Sequence, residues 1–125
     1  MNIAIKDGGM KQFIRVMKAL SDPSRVQALK LLEHRPLCVC ELQVLLGLAQ
    51  STVSKHMKNL EDAGLVSREK KGTWIIYRLA DGSESVYAAE MLARMPGWLN
   101  KEDTLIEMIL NLPAAAAVRN NCPTE

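Results

Sequence analysis

Aromatic residues are scarce in this sequence. Five of its 125 residues are Phe, Trp or Tyr, so packing falls to Leu, Ile, Val, Ala and seven Met. Cysteine is scarcer, with three residues, Cys38, Cys40 and Cys122. Three thiols do not make the disulfide framework of a small secreted domain. They are better suited to metal or redox chemistry. No apolar run reaches the length of a membrane helix. The opening MNIAIKDGGMK has neither the apolar stretch nor the cleavage site of a secretory signal. The expectation is a cytoplasmic protein with no membrane partner. There is no glycine-rich phosphate cradle and no Cys-x-x-Cys, which argues against nucleotide-dependent and thioredoxin-like enzymes.

What is present is enough apolar residue, 48%, for a folded domain. The net charge of +2 hides an uneven distribution. Residues 1–49 carry +3, residues 50–79 another +3, and residues 80–125 carry −4. A basic stretch of this kind suits a polyanion, although a solvated face carries as much.

The periodicity predicts six helices. Met10, Phe13, Ile14, Met17 and Leu20 form a helical stripe. Ser21-Asp22-Pro23 then signals a helix start. The second helix turns Val26, Leu29 and Leu32 inward and ends near Pro36. A third covers about Cys38–Leu46. After a turn at Gly47-Leu48-Ala49, a fourth runs from about Gln50 to Ala63, with Val53, Met57 and Leu60 inward. Two helices joined by a short glycine-containing turn are a helix-turn-helix pattern. Beyond Gly64 the residues Leu65–Glu69 and Thr73–Leu79 read as strands, with Lys70-Lys71-Gly72 as the hairpin tip. Ser83 or Ser85 caps a fifth helix through about Met95, interrupted by Pro96-Gly97. A sixth spans about Glu102–Leu112 and is too apolar all round for a free surface helix. Residues 1–113 form one domain in this reading, and residues 114–125 a mobile tail. The fold class is mainly α with a two-stranded β-wing.

The fourth helix has a polar face rich in donors and acceptors: Gln50, Ser51, Thr52, Ser54, Lys55, His56, Lys58 and Asn59. Recognition helices present such residues from their N-terminal half. Gln and Asn read adenine edges, Thr meets a thymine methyl, and Lys reaches guanine or phosphate. Lys70 and Lys71, flanked by Arg68 and Arg78, are placed to meet a phosphate backbone or minor groove. The partner expected is double-stranded operator DNA.

Cys38-Val39-Cys40 is the other informative feature. Residues two apart point about 200° from each other on a regular helix. At a frayed first turn both sulfurs can swing to one side, and Pro36 makes a helix start here plausible. A helix N-terminus favours thiolate, the ligand form, and thiolates select soft ions. The bland alternative is a pair of small buried apolar residues.

Four stretches taken together resemble the ArsR/SmtB family of metal-responsive winged-helix repressors. They are ALSDPSRVQALKLL at Ala19–Leu32, PLCVCEL at Pro36–Leu42, LAQSTVSKHMKNLEDAGLV at Leu48–Val66 and WIIYRL at Trp74–Leu79. The resemblance implies a winged helix-turn-helix homodimer built on the first and last helices. A two-fold dimer reading inverted half-sites agrees with it. Ala49 departs from the family, where a capping Ser is common; either Ser51 takes the role or the cap is absent.

In the family, Cys-Val-Cys at the start of this helix resembles the inducer site for arsenite and antimonite. Many relatives carry a third Cys three residues on, where this chain has Gln43. Cys122, from the same or the partner subunit, is the remaining thiol to complete a three-sulfur site with Cys38 and Cys40. The zinc-sensing relatives use His and carboxylates after the wing, and residues 80–125 contain no His. His34 is read as lying at a helix end rather than as a ligand. The expectation is a repressor, not an enzyme, induced by As(III) or Sb(III) and needing no organic cofactor. Cd(II)- or Pb(II)-responsive and thiol-redox-responsive repressors are the alternatives.

Overall fold

The computed structural model describes residues 9–121. Helix α1 (Met10–Ala19) is followed by α2 (Pro23–Leu32), strand β1 (Leu37–Cys38), α3 (Val39–Leu46) and α4 (Gln50–Asp62). The hairpin β2 (Val66–Lys71) and β3 (Trp74–Leu79) comes next, then α5 (Val86–Arg94), a 3₁₀ turn at Met95–Gly97, and α6 (Asp103–Leu110). A short α7 (Leu112–Ala115) and a 3₁₀ turn at Ala116–Asn121 end the described chain.

The local signals explain most of these boundaries. Pro23 occupies the first turn of α2, where its missing N–H removes nothing the helix needs. Gly47 ends α3 at φ 70°, ψ 34°, a left-handed conformation that favours glycine. Its N–H donates to Gln43 O at 2.8 Å. Helix α4 then starts at once. Of the two serines proposed as the α5 cap, Ser85 serves: its Oγ accepts from Tyr87 N and Ala88 N, each at 3.2 Å. The cap of α4 is missing. Ala49 holds the N-cap position without a side-chain acceptor, and Ser51 lies inside the helix.

The core gathers Leu29, Leu31, Leu37, Leu42, Val53, Met57, Leu60 and Leu65, all essentially without solvent contact. The inward stripe of α4 is therefore as read. The α1 stripe behaves differently. Val16 and Ala19 are buried, but Met10 is 76% exposed, and Phe13 and Ile14 are each 40% exposed. Phe13 meets Tyr87 edge to face, 5.4 Å between ring centres. On α6, Leu105 is buried while Leu110 is 73% exposed.

The two-stranded wing is as read, but a short third strand joins it in the order β1-β3-β2, where Leu37 and Cys38 pair antiparallel with Tyr77 and Ile76, and two other expectations need correction. A two-residue strand has no room for an alternating pattern, so the sequence carried no sign of it. The hairpin tip is Gly72-Thr73, because the ladder runs on through Lys70↔Ile75 and Lys71↔Trp74. Gly72, at φ 62°, supplies the positive φ that a two-residue hairpin turn demands. Lastly, the chain beyond Pro113 is helical through Asn121 and lies against α3, rather than forming a loose tail there.

Candidate nucleic-acid interface and thiol site

Burial of Val53, Met57 and Leu60 aims the opposite face of α4 at solvent. Gln50, Ser51, Lys55, Lys58 and Asn59 are exposed there, while Thr52 and Ser54 are half-buried. Lys58 Nζ lies 3.4 Å from Asp62 Oδ1 one turn on, an exposed pair worth little. His56 does not share the open face. Arg25 Nη1 lies 3.1 Å from its Nδ1, and Asp22 Oδ2 lies 3.7 Å from its Nε2. Arg25 has only N–H groups to offer, so Nδ1 accepts and Nε2 carries the proton in the neutral ring. Arg25 also donates to Ala19 O at 2.7 Å and Lys18 O at 3.1 Å. Through His56 and Arg25, α4 is tied to the end of α1 and the start of α2.

The hairpin carries the remaining basic residues. Lys70 and Lys71 are exposed near its tip, and as strand neighbours they project to opposite faces. Lys71 borders a cavity of about 410 Å³ with Arg35, Trp74, Arg78 and Arg119. Arg78 Nη2 donates to Glu69 Oε1 at 2.8 Å, and Arg68 Nε lies 3.9 Å from Glu61 Oε2. Both arginines are therefore engaged by carboxylates on or beside the wing.

Cys38 sits at the junction of β1 and α3, as the N-cap residue of α3 with extended backbone. Its Sγ accepts the N–H of Glu41, and its own N–H donates to Glu41 Oε1 at 2.9 Å. This is a capping box in which Cys takes the place of Ser or Thr. Cys38 is a free, buried thiol. Burial pushes its pKa up and outweighs the lowering from the Glu41 N–H. The thiolate character expected of a helix N-terminus is overridden by desolvation. Cys40 follows in the first turn of α3, half-buried and disulfide-bonded. Cys122 lies outside the described residues. Among the described residues no three His, Cys, Asp or Glu side chains converge as a metal site.

Sequence reasoning missed the charged group beneath this cap. Glu41 has no solvent exposure. Its Oε2 accepts from Arg35 Nη1 at 2.8 Å, and its Oε1 from Arg119 Nη2 at 2.7 Å. Burial by itself would raise the Glu41 pKa, but the Cys38 N–H and the two guanidiniums outweigh it and hold the carboxyl below its usual range. Arg35 also donates to Leu112 O at 2.8 Å, and the Arg119 guanidinium lies 5.9 Å from the centre of the Trp74 ring. The one signal available was local: Glu three residues after a cap position is the capping-box spacing.

Comparison with known proteins agrees with this geometry. Residues 22–68 match the family described as bacterial regulatory protein, arsR family. The arsenical resistance operon repressor of Escherichia coli K12 is 31% identical over 110 residues, covering 87% of each chain. That of Bacillus subtilis 168 is 37% identical over 73 residues, 58% of this chain and 70% of the relative. Reduced HlyU from Vibrio cholerae N16961 superposes with a TM-score of 0.60 at 27% identity, covering 73% of this chain and 92% of that one. The homodimeric winged helix-turn-helix DNA-binding domain of Mb0332 from Mycobacterium bovis gives 0.59, also at 27% identity, covering 74% and 82%. Family and fold are those of DNA-binding transcriptional regulators, not of enzymes. With a helix-turn-helix, a basic wing and these relatives, the chain belongs to the arsR family of bacterial regulatory proteins.

Proposed function

We propose that this chain is a homodimeric repressor that leaves its operator when trivalent arsenic or antimony is captured by cysteine thiolates. The observation that carries the reading is the place of Cys38. Its sulfur caps the first helix of the helix-turn-helix, and its backbone is hydrogen-bonded into the sheet beside the wing strand β3. A ligand that takes the sulfur removes the cap of α3, the helix packed against α4, and pulls on a residue paired with wing strand β3.

The chemistry balances with arsenous acid. Each thiol forms one As–S bond, and its proton leaves with an As–OH as water. Three thiols and As(OH)₃ give a tris-thiolate and three waters. Cys38 and Cys40 supply two sulfurs, and Cys122 is proposed as the third. The apolar residues left exposed on α1 and α6 are the surfaces the dimer buries. Two such protomers present two α4 helices to successive major grooves. Metalloid binding then favours a dimer geometry that no longer matches the half-site spacing. Relatives named as arsenical resistance repressors support this choice of inducer.

The test is fluorescence anisotropy on reduced protein at fixed salt, with duplex DNA from the region upstream of its own gene. Arsenite, antimonite, cadmium, lead and zinc are titrated in turn. Arsenite and antimonite are expected to release the DNA. Cys38→Ser and Cys40→Ser should bind the duplex but not release it, and Cys122→Ser should need more arsenite. Release by cadmium or lead instead would assign a soft divalent ion, and release by no ion would remove the metalloid reading. A thiol-redox response is the second reading, favoured by the disulfide at Cys40. Release by a thiol oxidant, reversed by dithiothreitol and indifferent to arsenite, would select it.

A further inference from the structure

We infer that the basic flank of α1, together with the C-terminal end of α4, is a second DNA-backbone contact apart from the wing and the N-terminal half of α4. Lys11, Arg15 and Lys18 recur at i, i+4 and i+7, so they form one stripe along the helix. At about 100° per residue the stripe lies beside the apolar one of Met10, Phe13, Ile14 and Met17, not beneath it. A dimer that buries the apolar stripe borders the basic one, with Ile14 shared between the two. The three side chains line a groove of about 510 Å³ whose other walls include Arg25, Asn59 and Asp62. The groove thus runs from α1 directly onto the C-terminal half of α4.

Three features favour phosphate as its occupant. Lys11, Arg15 and Lys18 are all exposed. The acid in the groove, Asp62, is outnumbered by Lys11, Arg15, Lys18 and Arg25. The side chain shared with α4 is Asn59, exposed and able to donate to a phosphate oxygen. The ligand is the sugar-phosphate backbone at the edge of the half-site that α4 reads. The inference rests on the DNA-binding reading above and adds a sequence-independent clamp to it.

The experiment measures the slope of log K against log [salt] for the full-length protein on the upstream duplex. Lys11→Gln/Arg15→Gln/Lys18→Gln is compared with wild type and with Arg94→Gln/Lys101→Gln, which removes charge from the acidic part of the chain. The triple variant should lose slope by about 0.9 per contact removed, about 2.7 per protomer, with a similar loss on an unrelated duplex. The control should keep its slope. Inorganic phosphate, titrated at constant ionic strength, should not displace the duplex from wild type, because a single anion releases no condensed counterions. Circular dichroism checks that the triple variant is folded. An unchanged slope in a folded variant, or an equal loss in the control, would overturn the clamp and leave the DNA-binding reading intact. Displacement by inorganic phosphate would mark a small-anion site and overturn it as well. Wild-type protein with no salt-dependent binding to any duplex would overturn both.

Discussion

Replacing Glu41 by Gln tests whether the buried carboxylate beneath the Cys38 cap organises this end of the fold. Gln keeps the shape and one carbonyl acceptor. It removes the charge from a group that accepts from Cys38 N, Arg35 and Arg119 at 2.9, 2.8 and 2.7 Å. Breaking a buried ion pair costs about 3–5 kcal/mol. Here the guanidiniums are about 30% exposed and keep part of their hydration, so the low end, about 3 kcal/mol, is the expectation. With a urea m-value of about 1.5 kcal/mol/M, the unfolding midpoint should fall by about 2 M. Both proteins are compared at one concentration, because dimerisation adds to apparent stability. The pH dependence is a second reading of the same group. Its carboxyl is held below the usual range in the folded state. Its contribution is therefore complete above the ordinary carboxylate pKa and is lost as pH falls through the depressed value. The gap between wild type and variant should be flat near neutrality and close in acid. A variant within about 0.5 kcal/mol of wild type at pH 7, or a gap that persists in acid, would refute the assignment.

Other outcomes follow from the same geometry. Lys70→Ala/Lys71→Ala should weaken binding to all duplexes and flatten the salt dependence; an unchanged slope would mean the wing touches no phosphate. Because the two lysines project to opposite faces, the single variants should differ, with one carrying most of the effect. Gly47→Ala places a side chain at φ 70° with open space around it, so backbone strain alone should cost about 1 kcal/mol by urea unfolding; no change would mean the turn relaxes. Ser85→Ala removes the acceptor for Tyr87 N and Ala88 N and should cost about 1 kcal/mol. Asp at the same position should recover most of that loss.

The helix-turn-helix is legible in the order of residues alone. Val53, Met57 and Leu60 recur with the helical period, and Gly47 ends α3 where a left-handed residue is required; both signals lie within a few residues of what they control. The wing was legible for the same reason, since Trp74–Leu79 carries its β-branched and aromatic pattern in one run. The pair Cys38 and Cys40 was visible as a motif, but its role as a cap was not, because that depends on Glu41 turning back onto it. Other features depend on contacts between distant parts of the chain. Arg119, 78 residues away in sequence, joins the Cys38 N–H and Arg35 in holding the buried Glu41 carboxyl below its usual range. His56 meets Arg25, 31 residues away in sequence, with Asp22 beside its other ring nitrogen. Cys38 loses the thiolate bias of a helix start because the sheet and core around it exclude water. Arg119, Arg25 and Asp22 are linked to Glu41 and His56 by no period or short spacing, so only the folded chain brings them together.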